Sequence, residues 1–152
     1  PVRVCLLFIT LCLSLVSFNS AKESDYKQYF GLKKGNHHTT FGDLKVGDIA
    51  ELELEGNPST GYSWYYDDPK DGFKTIKPLN THPIEGKGLA TGKYNPVNNV
   101  SKDGRALMGA GGTYSFKFEV VHPGEESIKL VYKRIWETDY SESLEVEFIS
   151  SK

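Results

Sequence analysis

The 152-residue sequence predicts an all-β fold, an antiparallel sandwich of about seven strands. Apolar and polar residues alternate along five segments, and no window holds a sustained apolar stripe at helical spacing. Glycine, asparagine, aspartate and proline fill the gaps between these segments, as turns require. Aromatic residues make up 12% of the chain, so large side chains are available to build a core.

The first twenty residues differ in composition from the rest. Arg3 is their only charged residue, and residues 4–18 form an almost unbroken apolar run. A membrane-spanning helix needs about 20 such residues. We therefore predict a secretory signal peptide at 1–20, with a retained signal anchor as the alternative. Both cysteines, Cys5 and Cys12, lie in this leader, so the remaining chain is expected to form no disulfide and to offer no thiolate ligand.

The rest of the chain is expected to hold one domain. Residues 21–43 are polar and are predicted to form an N-terminal arm or edge segment, followed by the domain at 44–152. Its strands are predicted at 50–54, 62–66, 114–120, 128–132 and 144–148, with weaker signals near Phe41 and Phe73. Residues 78–105 show no periodicity, which is typical of a functional or disordered loop. That loop contains a possible glycosylation site at Asn99.

Charge and motifs exclude several classes of function. With 18 basic and 20 acidic residues the net charge is -2, which disfavours a nucleic-acid-binding protein. No serine lies in a nucleophile elbow, and no glycine pattern fits a dinucleotide site. His37 and His38 are adjacent on an exposed strand, so their side chains point to opposite faces and are expected to be solvated rather than to bind metal. No cofactor or metal is expected. A hydrolase is the least favoured reading, because no spacing singles out a catalytic carboxylate pair.

Three connections carry patterns that turns alone do not require. Loop 1 is stiffened by its proline and shows small hydroxyls at its tip. It consists of Asn57, Pro58, Ser59, Thr60, Gly61 and Tyr62. Loop 2 has glycines that permit close backbone approach and two neighbouring apolar side chains. It consists of Leu107, Met108, Gly109, Ala110, Gly111 and Gly112. Loop 3 holds the residue types favoured at interface hot spots. It consists of Arg134, Ile135 and Trp136.

Alternate connections of an antiparallel sandwich leave it at the same end, so loops 1 to 3 predict a three-part binding face. In this order, Asn-Pro-x-Thr-Gly-Tyr, Gly-x-Gly-Gly and Arg-x-Trp resemble the three signatures of the chagasin-type inhibitors of cysteine peptidases. Val46-Gly47-Asp48 and the two leucines Leu52 and Leu54 also fit this resemblance. It extends from about residue 44 to residue 148.

The resemblance implies an immunoglobulin-like sandwich of about seven to eight strands. It also implies reversible, tight inhibition of papain-like, cathepsin-like peptidases and no enzymatic activity. By position, loop 1 would enter the catalytic cleft with Ser59 and Thr60 nearest the peptidase's cysteine. Loop 2 would lie along one side of the cleft, with Arg134 and Trp136 on the other. Ser59 stands where the family usually has Thr, and Ile135 where it usually has Pro.

The expected protein is a monomer of the secretory pathway, either secreted or held in a lysosome-like vesicle. After removal of the signal it has no expected membrane or nucleic-acid partner. The alternative function is a secreted immunoglobulin-like adhesion or carbohydrate-binding module, in which exposed aromatic rings would stack on the ligand. Trp64 is assigned to the core and Trp136 to the binding face, with burial of Trp136 in the core as the competing interpretation.

Overall fold

The computed structural model describes residues 23–97, 103 and 111–152. Within these ranges the regular structure is β-strand, apart from one turn of 3₁₀ helix at Pro58–Thr60. The predicted leader lies outside the described residues. So do the sequon at Asn99 and four residues of loop 2, namely Leu107, Met108, Gly109 and Ala110.

The described part of the chain contains eleven strands. Their bounds are β1 (Tyr26–Phe30), β2 (Gly35–Leu44), β3 (Ile49–Gly56), β4 (Tyr62–Asp67), β5 (Ile76–Pro78), β6 (His82–Ile84), β7 (Leu89–Thr91), β8 (Lys93–Pro96), β9 (Gly112–Val120), β10 (Gly124–Arg134) and β11 (Glu142–Ser150).

The strands form two sheets that pack face to face around one core. Sheet 1 has the order β1-β3-β9-β5, and β8 also pairs with β9. Sheet 2 has the order β2-β11-β10-β4-β7-β6. The chain passes from sheet 1 to sheet 2 between β3 and β4, which is the position of loop 1. The predicted all-β sandwich is therefore confirmed.

The sandwich differs from the prediction in strand number and direction. Strands β6, β7 and β8 lie within the stretch predicted to lack structure. Each has only three or four residues, too few for an alternating pattern to be recognised. Two pairings are parallel, β1 with β3 and β2 with β11, whereas a purely antiparallel sandwich was expected. Alternation within a strand reveals its faces but carries no information about the direction of its neighbour.

Most of residues 21–43, predicted to form an N-terminal arm or an edge segment, lies in two edge strands, β1 and β2. Strand β1 borders sheet 1 and β2 borders sheet 2. Side chains join them: Thr39 Oγ1 donates to Gln28 Oε1 (2.5 Å), and Gln28 Nε2 donates to the Thr40 carbonyl (3.3 Å). One side of the sandwich is thus closed by contact between its two edges.

Buried aromatic and aliphatic side chains from both sheets fill the core. Phe116, Phe118 and Phe148 are fully buried, and Trp64 is 3% exposed. Near loop 1 two polar contacts cross between the sheets. Trp64 Nε1 donates to the Glu55 carbonyl (2.9 Å), and the hydroxyls of Ser63 and Tyr114 lie 2.8 Å apart. Since buried polar groups need partners, these contacts fix how β3 and β9 face β4 at this end.

The carboxylate of Glu51 is buried on the outer face of β3, a position where alternation predicts exposure. It accepts hydrogen bonds from Ser115 Oγ (2.7 Å) and Ser24 Oγ (2.8 Å), and Lys117 Nζ lies 4.0 Å away. Burial alone would raise the pKa of Glu51, but the two hydroxyl donors and the nearby lysines Lys117 and Lys27 together lower it. The folded protein therefore stabilises the charged carboxylate.

Truncating the two tryptophans should have opposite effects on stability. Trp64→Ala should lower the free energy of unfolding by about 3–5 kcal/mol, because it removes a large core ring and leaves the Glu55 carbonyl without its donor. Trp136 is 69% exposed, so Trp136→Ala should change stability by no more than about 0.5 kcal/mol. Denaturant unfolding curves of the two variants measure the difference. Equal losses would contradict these assignments.

Glu51 should make stability depend on pH in the acid range. Its pKa is lower in the folded than in the unfolded chain, so its contribution is present above the unfolded value and is lost as pH falls through the folded value. Melting temperatures should therefore decline below pH of about 4.3, the ordinary glutamate value. Glu51→Gln should show a shallower decline. Glu53 provides the control, because in the parent protein it pairs with the exposed Lys27. Glu53→Gln should follow the parent curve more closely.

Candidate functional site

Loop 1 is an exposed turn whose polar groups are satisfied internally. Asn57 caps the 3₁₀ turn, since its Oδ1 accepts from the Ser59 backbone N–H (3.1 Å) and from Ser59 Oγ (2.6 Å). Thr60 Oγ1 donates to the Asn57 carbonyl (2.7 Å), and the Gly61 N–H donates to the Pro58 carbonyl (3.0 Å). Gly61 has φ of 84°, a left-handed conformation that glycine adopts at little cost. The sequence thus specifies a rigid tip carrying exposed Pro58, Ser59 and Thr60.

Tyr132 on β10 supports loop 1 from below. Its hydroxyl oxygen accepts from the backbone N–H of Asn57 at 3.0 Å. Its ring packs against those of Tyr62 and Trp64, at centroid distances of 5.3 and 5.2 Å. Burial raises the pKa of the Tyr132 hydroxyl, which therefore stays neutral at physiological pH. Loop 1 is anchored to the core through this side chain.

Arg134 joins loop 3 to loop 1. Its Nε donates to the Thr60 carbonyl at 3.1 Å, and its guanidinium lies 4.6 Å from the centre of the Tyr62 ring. Its Nη1 pairs with Glu137 Oε1 at 3.1 Å. The guanidinium therefore acts within the molecule to hold the loop tip, in addition to any contact it makes with a partner.

Trp136 lies over loop 1 with most of its indole in solvent. A Cβ atom at Gly61 would lie 2.9 Å from the Trp136 ring, so the ring can approach the turn only because residue 61 is glycine. Trp136 is 69% exposed, and the interpretation that it is a core residue is wrong. Ile135 between Arg134 and Trp136 is half-buried. Loop 3 thus presents one large aromatic face beside the loop 1 tip.

The end of loop 2 lies against the base of loop 1. A Cβ at Gly111 would stand 3.2 Å from the Gly56 carbonyl oxygen, and one at Gly112 would overlap the Asn95 carbonyl oxygen. Gly112 is also the register partner of Gly56 between β9 and β3. These two glycines permit close backbone approach, as their sequence suggested. Leu107, Met108, Gly109 and Ala110 lie outside the described residues.

The structure therefore gathers the described parts of all three loops at one end of the sandwich. Sequence reasoning missed two residues that support them, Tyr132 and Glu137. Periodicity placed Tyr132 in the core, and the available signal was that a buried tyrosine hydroxyl needs a polar partner. Glu137 follows Arg134 by three residues, a spacing at which opposite charges can pair.

Among the described residues no group of three or more His, Cys, Asp or Glu side chains is placed to hold a metal ion. His37 Nε2 contacts the Lys33 carbonyl at 2.7 Å, whereas His38 Nε2 lies 3.8 Å from Glu147. The described residues contain no helix long and apolar enough to cross a membrane.

Residues 43–149 match the profile of the chagasin family peptidase inhibitor I42. The chain belongs to the chagasin family of peptidase inhibitors. It is similar to chagasin of Trypanosoma cruzi, with 33% identity over 93 residues that cover 61% of this chain and 71% of chagasin. It is also similar to amoebiasin-1 of Entamoeba histolytica, with 32% identity over 105 residues, or 69% and 82% of the two chains.

Solved structures show the same fold. Leishmania mexicana ICP has a TM-score of 0.50 and 25% identity, covering 78% of this chain and 91% of its own. PbICP-C, solved in complex with falcipain-2, has a TM-score of 0.50 and 19% identity, covering 82% and 99%. The predicted immunoglobulin-like sandwich and the prediction of a cysteine peptidase inhibitor rather than an enzyme are confirmed. The adhesion or carbohydrate-binding alternative finds no support.

The hydrogen bond from Arg134 to the Thr60 carbonyl should slow the exchange of backbone amides in loop 1. Arg134→Lys keeps the charge but loses the planar Nε–H donor. The amides of Thr60 and Gly61, both bonded within the loop, should then exchange with solvent roughly tenfold faster, as expected for loss of a hydrogen bond worth about 1–2 kcal/mol. Hydrogen exchange followed by NMR measures this.

The matched control is Glu137→Gln, which removes the ion pair and leaves the Nε–H donor in place. Its loop 1 amides should exchange at close to the parent rate. If both variants accelerate exchange equally, the ion pair rather than the bond to Thr60 orders the loop.

Proposed function

We propose that the protein inhibits papain-like cysteine peptidases reversibly and tightly by filling their catalytic cleft with loops 1 to 3. The observation that carries this proposal is the geometry of loop 1, which is exposed at its tip and restrained from two sides. Tyr132 restrains its first residue and Arg134 its fourth. A turn ordered before binding loses little conformational entropy when it enters a cleft.

The conformation of loop 1 suits a wedge that fills the cleft better than it suits an extended substrate. A papain-like peptidase attacks a carbonyl that lies at its thiolate and points into the oxyanion hole. In loop 1 the carbonyls of Asn57, Pro58 and Thr60 already accept hydrogen bonds from Thr60, Gly61 and Arg134 respectively. The extended conformation of a substrate would require the turn to open and these bonds to break. We therefore expect the tip to enter the cleft as a folded turn rather than as an extended substrate.

Loops 2 and 3 would contact the two sides of the cleft. The exposed indole of Trp136 supplies a large rigid surface of the kind that dominates binding energy at interfaces. Gly111 and Gly112 keep the base of loop 2 close to loop 1. The apolar pair Leu107 and Met108 is assigned to the opposite side on the family resemblance.

We also propose that residues 1–20 are a signal peptide and that the protein acts as a monomer, either secreted or in a lysosome-like vesicle. The composition of that segment supports the first part. The remaining chain contains no cysteine, so its fold would not depend on the redox state of the compartment. Asn99 is a glycosylation site only if that compartment modifies it.

The proposed function predicts a class-specific inhibition profile. The purified protein should inhibit papain and falcipain-2 at a molar ratio close to one, and should leave trypsin and the metallopeptidase thermolysin active. Active-site titration with a fluorogenic substrate for each enzyme measures this. Comparable inhibition of trypsin, or digestion of the protein by papain without loss of papain activity, would contradict it.

Bulk at the loop 1 tip should weaken binding more than folding. Thr60 is exposed and its hydroxyl makes one hydrogen bond, to the Asn57 carbonyl, so Thr60→Arg should lower stability by no more than about 1.5 kcal/mol. Within a narrow cleft the added side chain would clash, and inhibition should weaken by roughly 2–4 kcal/mol, the range of an interface hot spot. Thr40→Arg, an exposed position on edge strand β2, is the matched control and should inhibit like the parent. Undiminished inhibition by a stable Thr60→Arg variant would refute the assignment of loop 1 to the cleft.

A further inference from the structure

A fourth connection reaches the same end of the sandwich as the three loops. It is the turn between β1 and β2, residues 31–34, named here the N-terminal turn. The parallel pairing of β1 with β3 places Phe30 opposite Leu54, so β1 ends beside the start of loop 1. The parallel pairing of β2 with β11 places Gly35 opposite Glu142, close after loop 3. The N-terminal turn therefore lies beside the loops. Within sheet 1 it is on one side of β3, and β9 with loop 2 is on the other side.

The backbone of the N-terminal turn is held by both sheets. Glu55 of β3 accepts from the Leu32 N–H (3.0 Å), and Glu142 of β11 accepts from the Lys33 N–H (2.9 Å). His37 of β2 contacts the Lys33 carbonyl at 2.7 Å. Glu142 is buried, so its bond to Lys33 is sheltered from water. Three contacts thus restrain the backbone of the turn.

The side chains of the N-terminal turn face solvent. Leu32 is 39% exposed, and Lys33 and Lys34 are exposed as well. In the part of the chain that the structure describes, neither lysine has a carboxylate within ion-pair distance. Glu55 and Glu142, the acidic groups at this turn, bind its backbone instead. In a protein of net charge -2, Lys33 and Lys34 thus lie beside the apolar side chain of Leu32, at the end of the sandwich that carries loops 1 to 3.

We propose that the N-terminal turn is an additional contact with the inhibited peptidase, in which Lys33 and Lys34 face an acidic part of the enzyme surface beside the cleft. Leu32 packs against the enzyme between them and loop 1. The inference rests on the proposed function, since it assumes that loops 1 to 3 occupy the cleft. It is independent of the three motifs, because the turn lies outside the matched residues 43–149. Charges placed beside a binding site mainly accelerate association.

The test compares two double charge reversals with the same change in net charge. Lys33→Glu with Lys34→Glu alters the turn. Lys45→Glu with Lys74→Glu is the control, because both of those lysines are exposed and lie at the opposite end, before β3 and β5. Association with falcipain-2 at about 20 mM salt should slow roughly tenfold for the turn variant and less than about twofold for the control. The difference should shrink at about 0.5 M salt, where charges are screened.

A second measurement reports contact directly. In the full chain carrying Lys34→Cys, the rate of maleimide labelling at position 34 should fall roughly tenfold when falcipain-2 is bound, because thiol reactivity requires access. Lys74→Cys should label at the same rate with and without the enzyme. Peptide mass spectrometry separates these positions from Cys5 and Cys12.

The outcomes separate this inference from the proposed function. A parent protein that inhibits neither falcipain-2 nor papain overturns both. A parent that inhibits falcipain-2 while the position 34 thiol remains fully reactive overturns the contact alone. Equal slowing by the two charge reversals, or slowing that is insensitive to salt, overturns the acidic partner surface.

Discussion

The hydrogen bond from the Asn57 backbone to the Tyr132 hydroxyl is the contact on which the arrangement of loops 1 to 3 depends. It fixes the first residue of loop 1 to a ring that packs against Tyr62 and Trp64. Because Trp64 also binds the Glu55 carbonyl, the same cluster sets the distance between the sheets. Loop 1 is therefore held in place by rigid side chains of the core. An exposed turn held in this way needs no disulfide to remain ordered.

Further contacts connect loop 1 to loops 2 and 3 and restrain them as well. Arg134 connects Thr60 to loop 3, and Gly61 leaves room for the Trp136 ring. Gly111 brings loop 2 against Gly56. Each contact is weak in isolation, since exposed hydrogen bonds and cation–π contacts contribute about 0.5–2 kcal/mol. Together they make the three loops one surface, and a change in one of them should be felt in the others.

Sequence reasoning predicted the features that are local in the chain. Alternation separated Trp64 from Trp136, and Asn57, Pro58 and Gly61 specified the turn of loop 1 through their own backbone preferences. It could not predict contacts between distant residues. Tyr132 meets Asn57 across 75 residues and Arg134 meets Thr60 across 74, and only the assembled sheets bring them together. The burial of Glu51 has the same origin, because Ser24, which precedes β1 and is 27 residues away in the chain, contacts its carboxylate.

The edges of the two sheets also affect the tendency of the protein to aggregate. An open strand edge exposes unpaired N–H and C=O groups and invites pairing with another chain. Here β1 and β2 cover one another on one side. The short outer strands β5 and β6 contain Pro78 and Pro83, which have no N–H to donate. Among the described residues, the folded molecule therefore offers few open strand edges to which a second copy could add a strand, which should limit aggregation.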